Sequence, residues 1–281
     1  MGIDSHNLPT LSFSNQLCGE IGSMKWQFNS FAQTDLGLVR EGNEDSALSC
    51  ANLIAVADGM GGHAGGEVAS AIAINSLTDL VPLLLNENVD LDSKEDLFLN
   101  ITHEIDQKIL DQSKAQPELS GMGTTLTALC ILDNTIELLH IGDSRCYRYR
   151  DNKLEQLSYD HTVMQELLDQ GRLTPQEVFD HPQRSLLTQA LMGDSGLDPI
   201  LLTFEIKKGD QFLLCSDGLT NVLSAYEISK IIEANDADLI PQALIKEVRS
   251  KGAPDNITII WSELTAEKQS AGVNKLGAAN E

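Results

Sequence analysis

The sequence predicts an α+β domain built in layers around antiparallel sheet, on three observations. Short apolar runs rich in Val, Ile, Leu and Thr recur along the chain, bounded by Gly, Asp or Asn, as strands are. Helical patterns lie between them without strict alternation. Two of the runs, TLTALCIL (125–132) and TIELLHI (135–141), are separated only by Asp133-Asn134, a hairpin signal. Hairpins in mid-chain favour an antiparallel sheet over a doubly wound parallel one.

The elements follow in order. Residues 1–24 are weakly patterned and read as an N-terminal arm. From residue 25 to 264 the pattern is continuous, as for one domain. ALSCANL, which follows REGNEDS, and LIAVA (53–57) read as strands; 66–81 and 94–113 read as helices. After the 125–141 hairpin come a strand at 146–150, a helix at 161–171 and a strand at 211–215. Helices at 226–234 and 239–251 precede the last strand, NITIIWS (256–262). Residues 265–281 are polar and rich in Gly, Ala and Asn, so a disordered tail is expected.

Charge narrows the function. Nineteen Lys and Arg face 42 Asp and Glu, a formal net charge of −23. No basic run matches a phosphate backbone, so nucleic acid is excluded as a partner, and anionic membranes are repelled. Five cysteines, none spaced as CxxC, read as reduced thiols of a cytoplasmic protein. The N-terminus lacks a secretory pattern, and His6 stands where a myristoylation signal wants Ser or Thr. No apolar run approaches a membrane span in this reading. Nothing calls for an obligate oligomer, so a monomer is expected.

Aspartates sit at the strand ends. LIAVA runs into Asp58-Gly59, ELLHIG into Asp143, and FLLCS into Asp217-Gly218; Asp255 precedes the last strand and Asp45 precedes ALSCANL. Singly, each reads as a turn or cap residue. Gathered at one rim, five carboxylates would repel one another unless cations lay between them. Two hard divalent ions, Mg²⁺ or Mn²⁺, suit an all-oxygen set; zinc does not. Gly59 would let its carbonyl face a metal, and the later glycines of VADGMGGHAGGEVAS would allow a tight backbone path. That stretch is not a P-loop.

RxxNED (Arg40 to Asp45), VADGMGGHAGGEVAS, MGTT, HIGDSRCYRYR, DHT, LLCSDGLT and APDNITII stand in one order over most of the chain. Together they resemble the metal-dependent protein phosphatases, the PPM or type 2C class, in their bacterial Ser/Thr form. The resemblance implies a four-layer αββα sandwich, two antiparallel sheets flanked by helices, with a flap at about 160–190. It implies two Mg²⁺ or Mn²⁺ ions: Asp58 bridging both, the Gly59 carbonyl on the second, Asp217 and Asp255 on the first, and Asp45 supporting the second. A third, weaker ion would use Asp143 and Asp217. Arg40 would grip the substrate phosphate, and a metal-activated water would attack phosphorus. His63 has two readings, the general acid for the leaving alkoxide or a loop residue holding the glycine turn. Ser185 stands where some relatives carry a flap histidine. The implied partners are phosphorylated Ser/Thr proteins and a Ser/Thr kinase whose action is reversed. A catalytically silent phosphoprotein-binding module is the alternative, and the intact aspartate set argues against it.

Overall fold

In a computed structural model describing residues 26–61, 65–174, 177–178, 181, 183–193, 196–266 and 272–280, the strands pair into two antiparallel sheets. The first sheet runs β1 (Gln27–Asp35), β11 (Ile257–Thr265), β10 (Gln211–Cys215), β7 (Arg145–Arg150), β8 (Lys153–Gln156). The second runs β12 (Asn274–Gly277), β2 (Asp45–Ser49), β3 (Leu53–Met60), β5 (Leu126–Leu132), β6 (Thr135–Ile141), β9 (Ile200–Glu205), with the short β4 (Gly123–Thr124) paired to β3. The expected hairpin is β5–β6, in register from Leu126 opposite Ile141 to Leu132 opposite Thr135. Asp133 takes a positive φ of 53° at its tip, a conformation Asp tolerates better than most side chains.

Between the sheets lies an apolar layer that includes Ile54, Val56, Leu138, Phe212 and Ile260. Helices α1 (Gly65–Leu84) and α2 (Leu91–Ala115) cover the outer face of the second sheet through Ala73, Ile74, Leu77 and Ile105. Helices α5 (Ala225–Ala234) and α6 (Ile240–Ser250) cover the first sheet through Ile228, Leu244 and Val248, packed around Trp261. The architecture is therefore four layers, αββα, as expected. Helix α3 (Val163–Asp169) begins at Thr162, whose hydroxyl caps the Gln165 amide, so it is shorter than the 161–171 pattern suggests. The helical turn α4 (Asp217–Thr220) follows β10 directly.

Two expectations need correction. The tail is not wholly without structure: β12 pairs with β2, and the Ala279 amide donates to Ser46 Oγ at 3.1 Å. Its polar residues satisfy the open edge of β2 through the backbone, which composition does not reveal. Helix α1, in turn, is long and apolar enough to cross a membrane, with a mean hydropathy of 1.3 over its best window. It packs against β3 and α2 in the core, which accounts for its composition. Strands β1, β8 and β9 were not anticipated. All three are partly exposed and lie at or beside sheet edges, where apolar alternation is weak. The N-terminal arm lies outside the described residues. Cys50, Cys130, Cys146 and Cys215 are free and buried.

Candidate active site

Strand ends from both sheets meet at one rim. Asp45 opens β2 and is paired in register with Asp58 on β3. Asp143 follows β6, and Asp217 follows β10 across the interface between the sheets. Asp255 precedes β11. A cavity of about 260 Å³ opens at this rim, walled by Asp58, Gly59, Asp143, Asp217, Asp255 and Arg40.

Hydrogen bonds hold each backbone in place. The Asp58 amide donates to Thr125 Oγ1 at 3.0 Å, and the Asp58 carbonyl accepts from the Thr125 amide at 2.9 Å and Thr124 Oγ1 at 3.0 Å. The two threonines of MGTT thus clamp the bend that presents Asp58. Asn256 brackets the Arg40 loop: its Nδ2 donates to the carbonyls of Leu36 (2.9 Å) and Gly42 (3.0 Å), and its Oδ1 accepts from the Glu44 amide at 2.9 Å. These three residues were visible in the motifs, but their work was not.

Close packing explains two of the glycines. A Cβ on Gly59 would lie 2.1 Å from the Gly66 carbonyl oxygen and 2.5 Å from that of Glu44. The chain leaves β3 under the start of α1 with no room for a side chain at Gly59. A Cβ on Gly218 would lie 1.9 Å from the Asn256 carbonyl oxygen, so SDG and PDN are locked together.

Electrostatics at the rim are severe. Burial, and then the charges of Asp45, Asp217, Asp143 and Asp255, push the Asp58 carboxyl well above the usual carboxylate range. Burial followed by Asp217 does the same to Asp143, and burial followed by Asp255 raises Asp217. Asp45 is fully enclosed, and burial pushes it up to about 7. Groups in this condition favour protons or metal cations.

The expected residues divide as follows. Asp58, Gly59, Asp143, Asp217, Asp255 and Arg40 line the common cavity. Asp45 lies beneath it, accepting from Ser216 Oγ at 2.8 Å, while its neighbour Glu44 forms part of the wall. Glu44 is the lining carboxylate that sequence reasoning missed. Arg40 forks onto Asp255, Nε to Oδ1 at 2.7 Å and Nη2 to Oδ2 at 2.8 Å. His63 lies outside the described residues. Ser185 reaches the rim, its hydroxyl donating to Asp217 Oδ2 at 3.3 Å.

Among the described residues, no three carboxylate, imidazole or thiol groups are drawn into a compact ligand nest. Arg40 holds Asp255, Ser216 holds Asp45, and Asn221 Nδ2 holds Asp217 at 2.7 Å. The donor chemistry nonetheless fits hard divalent ions: the carboxylates of Glu44, Asp58, Asp143, Asp217 and Asp255 offer oxygen ligands, and they are crowded enough to favour a cation between them.

A family model described as protein phosphatase 2C matches residues 41–235. The serine/threonine protein phosphatase PstP of Mycobacterium tuberculosis is 42% identical over 233 residues, 83% of this chain. The chain spans only 44% of that relative's length. Protein phosphatase PhpP of Streptococcus pneumoniae is 35% identical over 241 residues, covering 83% of this chain and 96% of PhpP. Among solved structures, M. tuberculosis PstP/Ppp superposes with a TM-score of 0.78 at 42% identity, covering 84% of this chain and 98% of the other. A structure of the PstP catalytic domain in complex with two manganese ions superposes equally well, TM-score 0.78 at 38% identity, covering 86% of this chain and all of that one.

Proposed function

The chain belongs to the protein phosphatase 2C family, and from that premise we propose that it is a metal-dependent Ser/Thr phosphoprotein phosphatase. The observation that carries the reading is the meeting of Asp58, Asp143, Asp217 and Asp255 with Arg40 around one cavity, fed by strand ends of both sheets. Asp58, Asp217, Asp255 and the Gly59 carbonyl would hold two Mg²⁺ or Mn²⁺ ions, and Asp143 with Asp217 a third, weaker one. When bound, such ions acidify water and offset charge on a phosphoryl group.

The protein's own side chains do the rest. Arg40 supplies a planar fork of N–H donors suited to two phosphate oxygens, and in binding substrate it exchanges Asp255 for the phosphate. Asp45 and Ser216 keep the two sheets in step beneath the cavity. His63 is the candidate proton donor to the leaving alkoxide. Segment 160–190 acts as the flap over the site. The substrates are phosphoserine and phosphothreonine proteins, set against a Ser/Thr kinase. The acidic composition and buried free thiols support a cytoplasmic setting, with the chain acting as a monomer.

The test is hydrolysis of p-nitrophenyl phosphate and a phosphothreonine peptide with Mn²⁺ or Mg²⁺, then with EDTA, for wild type and Asp217→Asn. Turnover should require the metal and fall at least ~100-fold in the variant, with an unchanged circular dichroism spectrum. A variant with full metal-dependent turnover would sink the assignment of Asp217. A folded, metal-binding wild type without turnover would favour the silent phosphoprotein-binding module.

A further inference from the structure

A second cavity, of about 280 Å³, lies between α3 and Val178 on one side and the Leu223–Ala225 turn on the other. Asp143 and Asp217 line both this chamber and the catalytic cavity, so the two share one wall. Apart from Asp143, which sits in the shared wall, its charged groups are engaged. Arg145 grips Asp160 through Nε at 2.9 Å and Nη2 at 2.6 Å, Asn221 and Ser185 bind Asp217, and Arg184 is partnered as well. The rest of the wall includes an apolar strip of Leu168, Val178, Leu223 and Ala225. An anionic guest would face Asp143 and Asp217 or have to break one of these pairs, and a cationic guest would have to compete with the ion those two carboxylates would hold, whereas an aliphatic guest can lie along the apolar strip and displace water.

We propose that this chamber receives an uncharged aliphatic side chain (Val, Leu, Ile or Met) of the substrate protein, close in sequence to the phosphorylated residue. The inference rests on the phosphatase function proposed above. A phosphoprotein whose phosphate enters the Arg40 cavity must carry its flanking residues over the rim. In an extended peptide, side chains on one face recur every ~7 Å, so a residue about two positions away can reach the neighbouring chamber. Two sides of the chamber belong to different parts of the chain, the flap and the α4–α5 connection, so flap sequence and position set its shape.

The experiment uses the full chain with Mn²⁺ and phosphothreonine peptides carrying Leu, Ala, Asp or Lys within about three positions of the phosphate. Wild type should prefer Leu over Ala by about 10-fold in kcat/KM at one position. Ala225→Trp, which fills the chamber, and Leu168→Ser, which removes part of its apolar wall, should each reduce that ratio below about 2-fold. The ratio is taken within each enzyme, so a general loss of activity does not alter it. A flat wild-type profile, a preference for Asp or Lys, or a Leu preference surviving both substitutions overturns the proposal. Hydrolysis of p-nitrophenyl phosphate by the same preparation separates the two readings. Without metal-dependent turnover the phosphatase function itself fails; with turnover and a flat peptide profile only the chamber does.

Discussion

At the rim, Asp45, Asp58 and Asp143 hang from one sheet and Asp217 and Asp255 from the other, each beside a buried strand, and Asp45, Asp58, Asp217 and Asp255 are held by hydrogen bonds. The segment proposed as the flap, residues 160–190, is fastened differently. Its foot is tied by the His161 amide to the Gly142 carbonyl (2.8 Å), and its return by the Thr188 amide to the His161 carbonyl (2.8 Å) and a bridge between Thr124 and Leu191. Between these ties, Leu168 and Ser185 face cavities rather than core. Parts that must not move are built into the sandwich. The proposed flap is tied to the sandwich at its foot and at its return.

The joint between the two regions offers the largest effect. His140 on β6 is completely buried, its Nε2 donating to the Tyr159 carbonyl at 2.8 Å and its Nδ1 lying 2.9 Å from Thr127 Oγ1, with the His161 ring tilted beside it at a centroid distance of 5.1 Å. Burial, then the neighbouring His161, pushes its pKa down to about 3. The unfolded chain binds a proton here near pH 6.5 and the folded one does not. Stability contributed by the neutral ring is therefore complete above that pH and falls steadily from about 6.5 to 3. Roughly 4 kcal/mol should be lost across that window. Urea unfolding of wild type and His140→Asn at several pH values checks this; the variant should show a shallower acid slope, and an equal slope would remove His140 from the account.

Within the rim, Gly218→Ala should cost roughly 2–4 kcal/mol, because the added methyl meets the Asn256 carbonyl oxygen at 1.9 Å. Asn256 brackets the Arg40 loop, so kcat should fall with stability. A variant with a wild-type urea midpoint would show that the Gly218–Asn256 contact can relax freely. The smallest effect belongs to the flap. Ser185→Ala removes a 3.3 Å hydrogen bond to Asp217 and should change stability by about 0.5 kcal/mol and kcat by less than about 3-fold. A large kcat loss at unchanged stability would move Ser185 from the flap's periphery into the chemistry.

Much of this arrangement was legible in the sequence, for specific reasons. Buried strands ending in Asp-Gly gave Asp58 and Asp217 away, and the β5–β6 hairpin followed from two apolar runs and a two-residue turn. The choice between Glu44 and Asp45 was not legible. Adjacent side chains at a strand start point to opposite sides, and one residue of phase decides which faces the cavity and which the interior. Asn256 was hidden because its role is spent on carbonyls of a loop more than two hundred positions away. Strand β12 was hidden because an edge strand can be recruited by backbone pairing alone.

Ser216 Oγ joins these threads. It accepts the Thr258 amide at 3.0 Å within the first sheet and donates to Asp45 at 2.8 Å in the second. The rim is therefore a seam sewn from two separate sheets, with a stitch directly below the cavity. Any sliding of one sheet over the other displaces Asp217 and Asp255 relative to Asp58 and Asp143 before either sheet loses a strand. On warming, catalysis should vanish while the ladders still persist, making enzymatic rate a more sensitive gauge of shear inside the sandwich than its secondary structure.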